Sequence, residues 1–274
     1  MKRWSATLLV LAVCSAAVHA DVTIVQKTTI EGGAASMAPG GLPTPTVTNR
    51  IKGMKARMDM DMGPTIPTNI STITDATAKQ VIILDHNQKT AQVTTGGQQP
   101  PAAPDLPTAS VQFDGSMTPT GKSQTIDGFK CDEYAFTTSM KMSDIGGAPP
   151  EAAPMMQGIT MLMKGSLWVT KDAPGVAEFR AYQKAMSAAD LASAAMGAAG
   201  LNMPGMDKMM KAMQGVDGMP ILTEMEMTVE GTGQMADMMR QMGSMKIMTK
   251  VLSVKTDAIA EDVFKVPEGY QVIK

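Results

Sequence analysis

The stretch MKARMDMDM, residues 54–62, decides the fold class. Met54, Ala56, Met58, Met60 and Met62 alternate with Lys55, Arg57, Asp59 and Asp61. A period of two is that of a strand buried on one side, so the methionines are expected to face a core and the charges to face water. Reading Asp59 and Asp61 instead as an Asp-x-Asp metal site fails for want of further ligands at usable spacing.

Outward from this strand the same alternation recurs in DVTIVQKTTI (21–30), in FKCDEYAFTTSMKM (129–142) and in ITMLMKGSLWVT (159–170). It returns in ILTEMEMTVE (221–230), where Met225, Met227 and Val229 oppose Glu224, Glu226 and Glu230, and in MKIMTKVLSVKT (245–256). KQVIILDHNQKTAQV (79–93) holds two apolar runs around a polar DHNQK, which predicts a hairpin with His86 in its turn. In the strand at 129–142, Tyr134, Phe136, Met140 and Met142 share a side, and Cys131 reads as a small packing residue. Turn-like connections between alternating strands predict a long antiparallel sheet with one wet face.

Helical signals gather after Trp168. PGVAEFRAYQKAMSAADLASAAMGAAG (174–200) begins with proline in its first turn, is rich in alanine and stops at glycines. Two shorter glycine-bounded stretches repeat methionine at i, i+3, i+4 and i+7: Met206, Met209, Met210 and Met213, then Met235, Met238, Met239 and Met242. Helices this short are marginal alone, so they are expected to form by laying these methionines onto the sheet, the second at a hairpin tip. The segments 96–110 and 146–154, rich in Gly, Pro and Ala, read as long loops inside one domain.

The first twenty residues carry basic MKRW, an apolar run and the small-residue close VHA before Asp21, the pattern of a cleaved export signal. Val13 before Cys14 argues against a lipidation site there. No later run matches a spanning helix, so a periplasmic or secreted chain of residues 21–274 is expected. Loss of Lys2 and Arg3 takes the 24 basic residues to 22 against 26 acidic, a balance that argues against nucleic acid as a partner. His86 and Cys131 are then the only histidine and cysteine left, too few for a disulfide, a His/Cys zinc centre or a His-dependent triad with redundancy. No nucleophile elbow, phosphate loop or paired-carboxylate spacing appears, so no catalytic residue, metal ligand or cofactor is assigned.

Five segments in order, RIKGMKARMDM, QVIILDHNQKTAQV, IDGFKCDEYAF, LWVTKDAPGVAEFRAYQKAM and DVFKVPEGYQVIK, resemble the exported bacterial proteins grouped as domain of unknown function 4412. That group looks related to the periplasmic lipoprotein carrier LolA. The resemblance implies an α+β fold, a curled antiparallel half-barrel with Met/Ala-rich helices on its concave face. In such a fold Met54, Met58, Met60 and Met62, with the eight helical methionines, would line a site for an acyl chain, lipid or lipoprotein. Two other functions stay open: an envelope scaffold whose methionines merely pack, and a Cu(I)-binding protein using thioethers.

Overall fold

The computed structural model describes residues 21–33, 44–63, 69–95, 114–141, 156–188, 191 and 215–273. Among the described residues twelve strands form one sheet. They are β1 (Val22–Gly32), β2 (Thr46–Lys52), β3 (Lys55–Asp61), β4 (Asn69–Asp75), β5 (Gln80–Asp85) and β6 (Thr90–Thr95). After them come β7 (Asp114–Ile126), β8 (Phe129–Lys141), β9 (Thr160–Thr170), β10 (Met219–Glu230), β11 (Met245–Lys255) and β12 (Gln271–Ile273). Two α-helices are described, α1 (Val176–Ala188) and α2 (Gln234–Gln241), with a 3-10 turn at Glu261–Phe264.

The strand order is β12-β6-β5-β4-β3-β2-β1-β11-β10-β9-β8-β7. Two antiparallel meanders, β1 to β6 and β7 to β11, are joined by pairing of the first strand with the eleventh. The three-residue β12 adds in parallel to β6. Among the described residues β7 and β12 each pair with one neighbour, so the sheet is open. This corrects the expected LolA-like curled half-barrel.

The physical reason lies in where the core sits. A half-barrel keeps its apolar residues on one concave side, whereas here both faces are covered around β4–β6. On β5, Val81 packs with Met186 and Leu191 on the helical side. Its neighbours Ile82 and Leu84 pack on the opposite side with Ile73, Ala91, Ile259 and Phe264, the last two from the C-terminal segment. Near-continuous burial through Val81, Ile82 and Leu84 is what a strand covered on both faces requires. The largest cluster joins Val22, Ile24, Ile51, Ala56, Trp168 and Ile221 beneath α1.

The helices differ from expectation too. α1 buries Val176 and Met186, with Phe179 and Tyr182 packed beside the core, so it has no Met/Ala face over a cavity. Its start lies so close to β1 that a Cβ on Gly175 would meet Val22 at 2.0 Å. Tyr182 hydrogen-bonds Thr74, and burial pushes its phenol up to about 12. α2 does sit on the β10–β11 hairpin, between Gly233 (φ 106) and Gly243 (φ 80), and packs against β10. The residue it buries is Ala236, while Met238 is 55% exposed. The expected helix at Met206–Met213, the loops at 96–110 and 146–154, and residues 1–20 lie outside the described residues.

One close approach gives a stability prediction. Gly165 on β9 lies under the Phe136 ring, and an added Cβ would come within 2.1 Å of the Glu224 carbonyl oxygen. Gly165→Ala should cost about 1–3 kcal/mol through this overpacking, read as a lowered urea midpoint.

Candidate functional site

Two clusters stand out, one polar and one of methionine, on different halves of the sheet. The polar one grows from the hairpins. "DATAK" and "DHNQK" make the same turn twice: Asp75 Oδ1 accepts the N–H of Thr77 and Ala78, and Asp85 Oδ1 accepts those of Asn87 and Gln88, each at 2.9 Å. The second turn holds His86 at the end of β5. Register puts Arg50 opposite Arg57 and Ser71 opposite Asp59, so all four share a face.

There Asp59 accepts hydrogen bonds from Arg50, from Arg57 Nε at 2.7 Å and from Ser71 Oγ at 2.5 Å. Arg57 Nη2 also donates to Ser71 at 3.2 Å, and its Nη1 to the Val263 carbonyl at 3.2 Å. His86 Nε2 lies 2.6 Å from Ser71 Oγ, and Nδ1 lies 2.5 Å from the Tyr270 hydroxyl. Burial opposes ionisation of Asp59, yet the Ser71 and Arg57 hydrogen bonds and the Arg57 and Arg50 charges outweigh it and hold its carboxyl below the usual range. Burial first, then the Arg57 charge, pushes His86 below the usual histidine value, against the pull of Asp59 and Asp85.

The geometry fixes the protons. An ionised Asp59 can only accept, so Ser71 gives it its single hydroxyl proton. Ser71 must then accept from His86 Nε2–H, which leaves Nδ1 to accept from Tyr270. The chain of donors runs Tyr270, His86, Ser71, Asp59. Ser71 is 2% exposed and its proton is committed to a carboxylate, which suits a structural relay better than a nucleophile awaiting substrate. Asp59 and Arg57, expected in open water, are instead the centre of this cluster. The pairing that reveals it runs through β4, NISTITD, whose polar composition hides a strand with Ser71, Thr72, Ile73 and Thr74 all buried.

The methionine cluster comes from cross-strand register. Met163 on β9, Met227 on β10 and Met245 on β11 lie directly opposite one another in one row. Met161 faces Met140 on β8, and Met225 sits beside Gly165 and Ile247 in the next row. Directly paired residues point to the same face, so these six thioethers form one patch with Phe136 and Ile247. Met163 is buried and the other five methionines are half-buried.

The reverse side of the same strands is wet. Lys164, Glu226, Lys246 and Glu31 occupy one row with alternating sign, all exposed. An open groove of about 460 Å³ lies on this charged side, lined by Glu31, Lys164, Glu224 and Glu226 among others.

Among the described residues, the methionines expected to form a ligand wall fall in two places. Met58 and Met60 are half-buried on β3, on the side of Ala56; Met54 is in the preceding turn at 37% exposure, and Met62 follows the strand. Met235, Met239 and Met242 are half-buried at α2, against the tenth strand. Four strand steps separate β3 from β10, about 19 Å. Met206, Met209, Met210 and Met213 lie outside the described residues. Helical spacing marks only local repeats, while the patch that does form depends on long-range pairing.

No group of three or more His, Cys, Asp or Glu side chains is placed to hold a metal among the described residues. Cys131 is fully buried, and burial pushes its thiol up. Among the described residues no helix is long and apolar enough to cross a membrane.

Residues 37–147 match the family model described as Domain of unknown function (DUF4412). The match spans Arg50, Arg57, Asp59, Ser71 and His86 of the polar cluster, and ends before the ninth to eleventh strands. No curated protein matches. Among solved structures the chain is similar to an uncharacterized conserved protein from Thermus thermophilus, at 9% identity over 93% of this chain and 91% of that one, with a TM-score of 0.41. So loose a likeness carries no argument about fold or function.

Proposed function

We propose that this chain is an exported, non-catalytic binding protein of the bacterial envelope that holds an apolar ligand, an acyl chain or the lipid part of a larger molecule, against the methionine patch of β8–β11. The observation that carries the reading is the continuous run of six methionines with Phe136 and Ile247 on one face. Methionine is unbranched and polarisable, so such a wall repacks around chains of different shape without a preformed slot. Export rests on the signal-like pattern of residues 1–20.

Copper is the weaker use of these thioethers. Directly opposed side chains in a sheet stand about 5 Å apart at Cβ, so Met163 and Met245 flank Met227 at roughly 10 Å from each other. A Cu(I) site needs two or three thioethers in fixed places, which leaves most of the six-methionine face without a role. An apolar chain laid across the row has no such requirement.

Titration with a fluorescent fatty acid tests the reading. Met163, Met227 and Met245 replaced together by leucine should bind within about threefold of the parent, because leucine keeps volume and apolarity. The same three replaced by glutamine should lose binding at least about tenfold, since buried amides forfeit hydrogen bonds to water. Equal binding by the glutamine variant, or loss in the leucine variant alone with Cu(I) uptake by the parent, would overturn it.

A further inference from the structure

The last strand is weakly built for its position. β12 has three residues, and Gln271, Val272 and Ile273 are all exposed, Val272 at 49% and Ile273 at 48%. Packing of its side chains therefore does little to keep it on the sheet edge. What holds it is the parallel ladder to Thr90–Gln92, the Gln271 N–H donated to the Lys89 carbonyl at 2.9 Å, and the residue just before it, Tyr270. Tyr270 packs against the Ile73–Leu84–Phe264 cluster, meets the His86 ring edge-on at 5.7 Å and donates to its Nδ1. Short strands with exposed side chains open at the low end of a protein's range of local stabilities.

We propose that Tyr270–Ile273 is a pH-sensitive strap: neutral His86 holds Tyr270 and thereby β12 on the β6 edge, and protonation of His86 frees the strap. With the Ser71 proton committed to Asp59, His86 Nδ1 is an acceptor, so a proton added there removes the lone pair that Tyr270 uses. The hydroxyl must reverse, and the imidazolium meets the opposing charge of Arg57 and the favourable charges of Asp59 and Asp85. Ser71, on the fourth strand, contributes a neutral hydroxyl whose proton is already given away. Lifting Tyr270 opens the ring to water, which favours the charged form. The open strap thus binds the proton more tightly than the closed one, and acid shifts the balance toward opening.

Hydrogen exchange of the 271–273 and 90–92 amides, corrected for intrinsic rates and referred to β10–β11, tests this between pH 8 and 5. Protection at the strap should fall as pH drops below about 6.5, by about tenfold for each unit by which opening raises the histidine pKa. His86→Gln, which cannot titrate, should show a flat profile. Tyr270→Phe keeps the ring and removes the hydroxyl, and should give a looser strap with a reduced pH slope, because the bond that protonation breaks is gone while His86 still titrates; it serves if the glutamine variant does not fold. A flat profile in the parent protein, or an unchanged pH slope in either variant, would overturn the proposal.

Discussion

Arg57→Asp should lower the unfolding free energy by about 2–4 kcal/mol, somewhat below the range for a fully buried ion pair because Arg57 and Asp59 are half-buried. The Arg57 side chain is 17% exposed and serves three acceptors: Asp59, Ser71 and the carbonyl of Val263. Aspartate there sets a second carboxylate beside Asp59 with Arg50 as the remaining guanidinium, and strips the C-terminal segment of a donor. Met58→Asp, on the opposite face of the same strand and half-buried, should cost about 1–3 kcal/mol. The order reverses what alternation alone predicts, which puts Arg57 in water. The pH dependence carries a sign. In the parent the depressed Asp59 pKa gives stability that is present above about 3.8 and lost as pH falls through its lower folded value. In the variant the crowded carboxylates gain by taking up a proton, so the gap in urea midpoint should narrow as pH falls from 7 to 4. Arg57→Asp within about 0.5 kcal/mol of the parent would mean that the side chain is solvated after all.

Phe264→Ala should cost a similar amount, about 3–5 kcal/mol. Phe264 is 7% exposed and packs with Ile73, Ile82, Leu84, Ala91 and Ile259 on the face of the sheet opposite α1. Its truncation leaves a cavity under a segment that is otherwise irregular and pinned by Lys52 Nζ donating to the Ile259 carbonyl at 2.6 Å and by the Ile259 N–H donated to Asp21 at 2.6 Å. A large loss establishes that the C-terminal segment is a second covering layer. A loss below about 1 kcal/mol would restore a sheet with one covered face, as a curled carrier has.

Strand alternation made β1, β3, the β5–β6 hairpin and β8 to β11 legible, because each carries enough period-two contrast between methionine or aliphatic residues and charge. The glycine-bounded α2 was legible for its stops. β4 was not, since Ser71, Thr72 and Thr74 are polar by type and buried by their tertiary setting, Thr74 through Tyr182 and Ser71 through Asp59 and His86. β12 is too short for any period to show, and β7 carries Pro119 and Gly121. Openness could not be read either: alternation gives one apolar and one polar face in a curled sheet and in an open one alike. What separates them is which strands lack a second neighbour, and that is a property of long-range pairing. The methionine patch follows the same logic. Met163, Met227 and Met245 are far apart in the chain and adjacent across three strands, whereas the four-methionine helical repeats are adjacent in the chain and, at α2, leave Met238 facing out.

The claim that the methionine face of β8–β11 is the binding surface is tested most directly by photo-crosslinking a diazirine-bearing fatty acid to the whole protein and mapping the adducts by mass spectrometry. The expected adducts fall on the peptides that carry Met140, Met161, Met163, Met225, Met227 and Met245, and unlabelled fatty acid competes them away. Saturable adducts confined to the charged side around Lys164 and Glu226, or to the His86–Tyr270 region, or no saturable adduct at all, would contradict it.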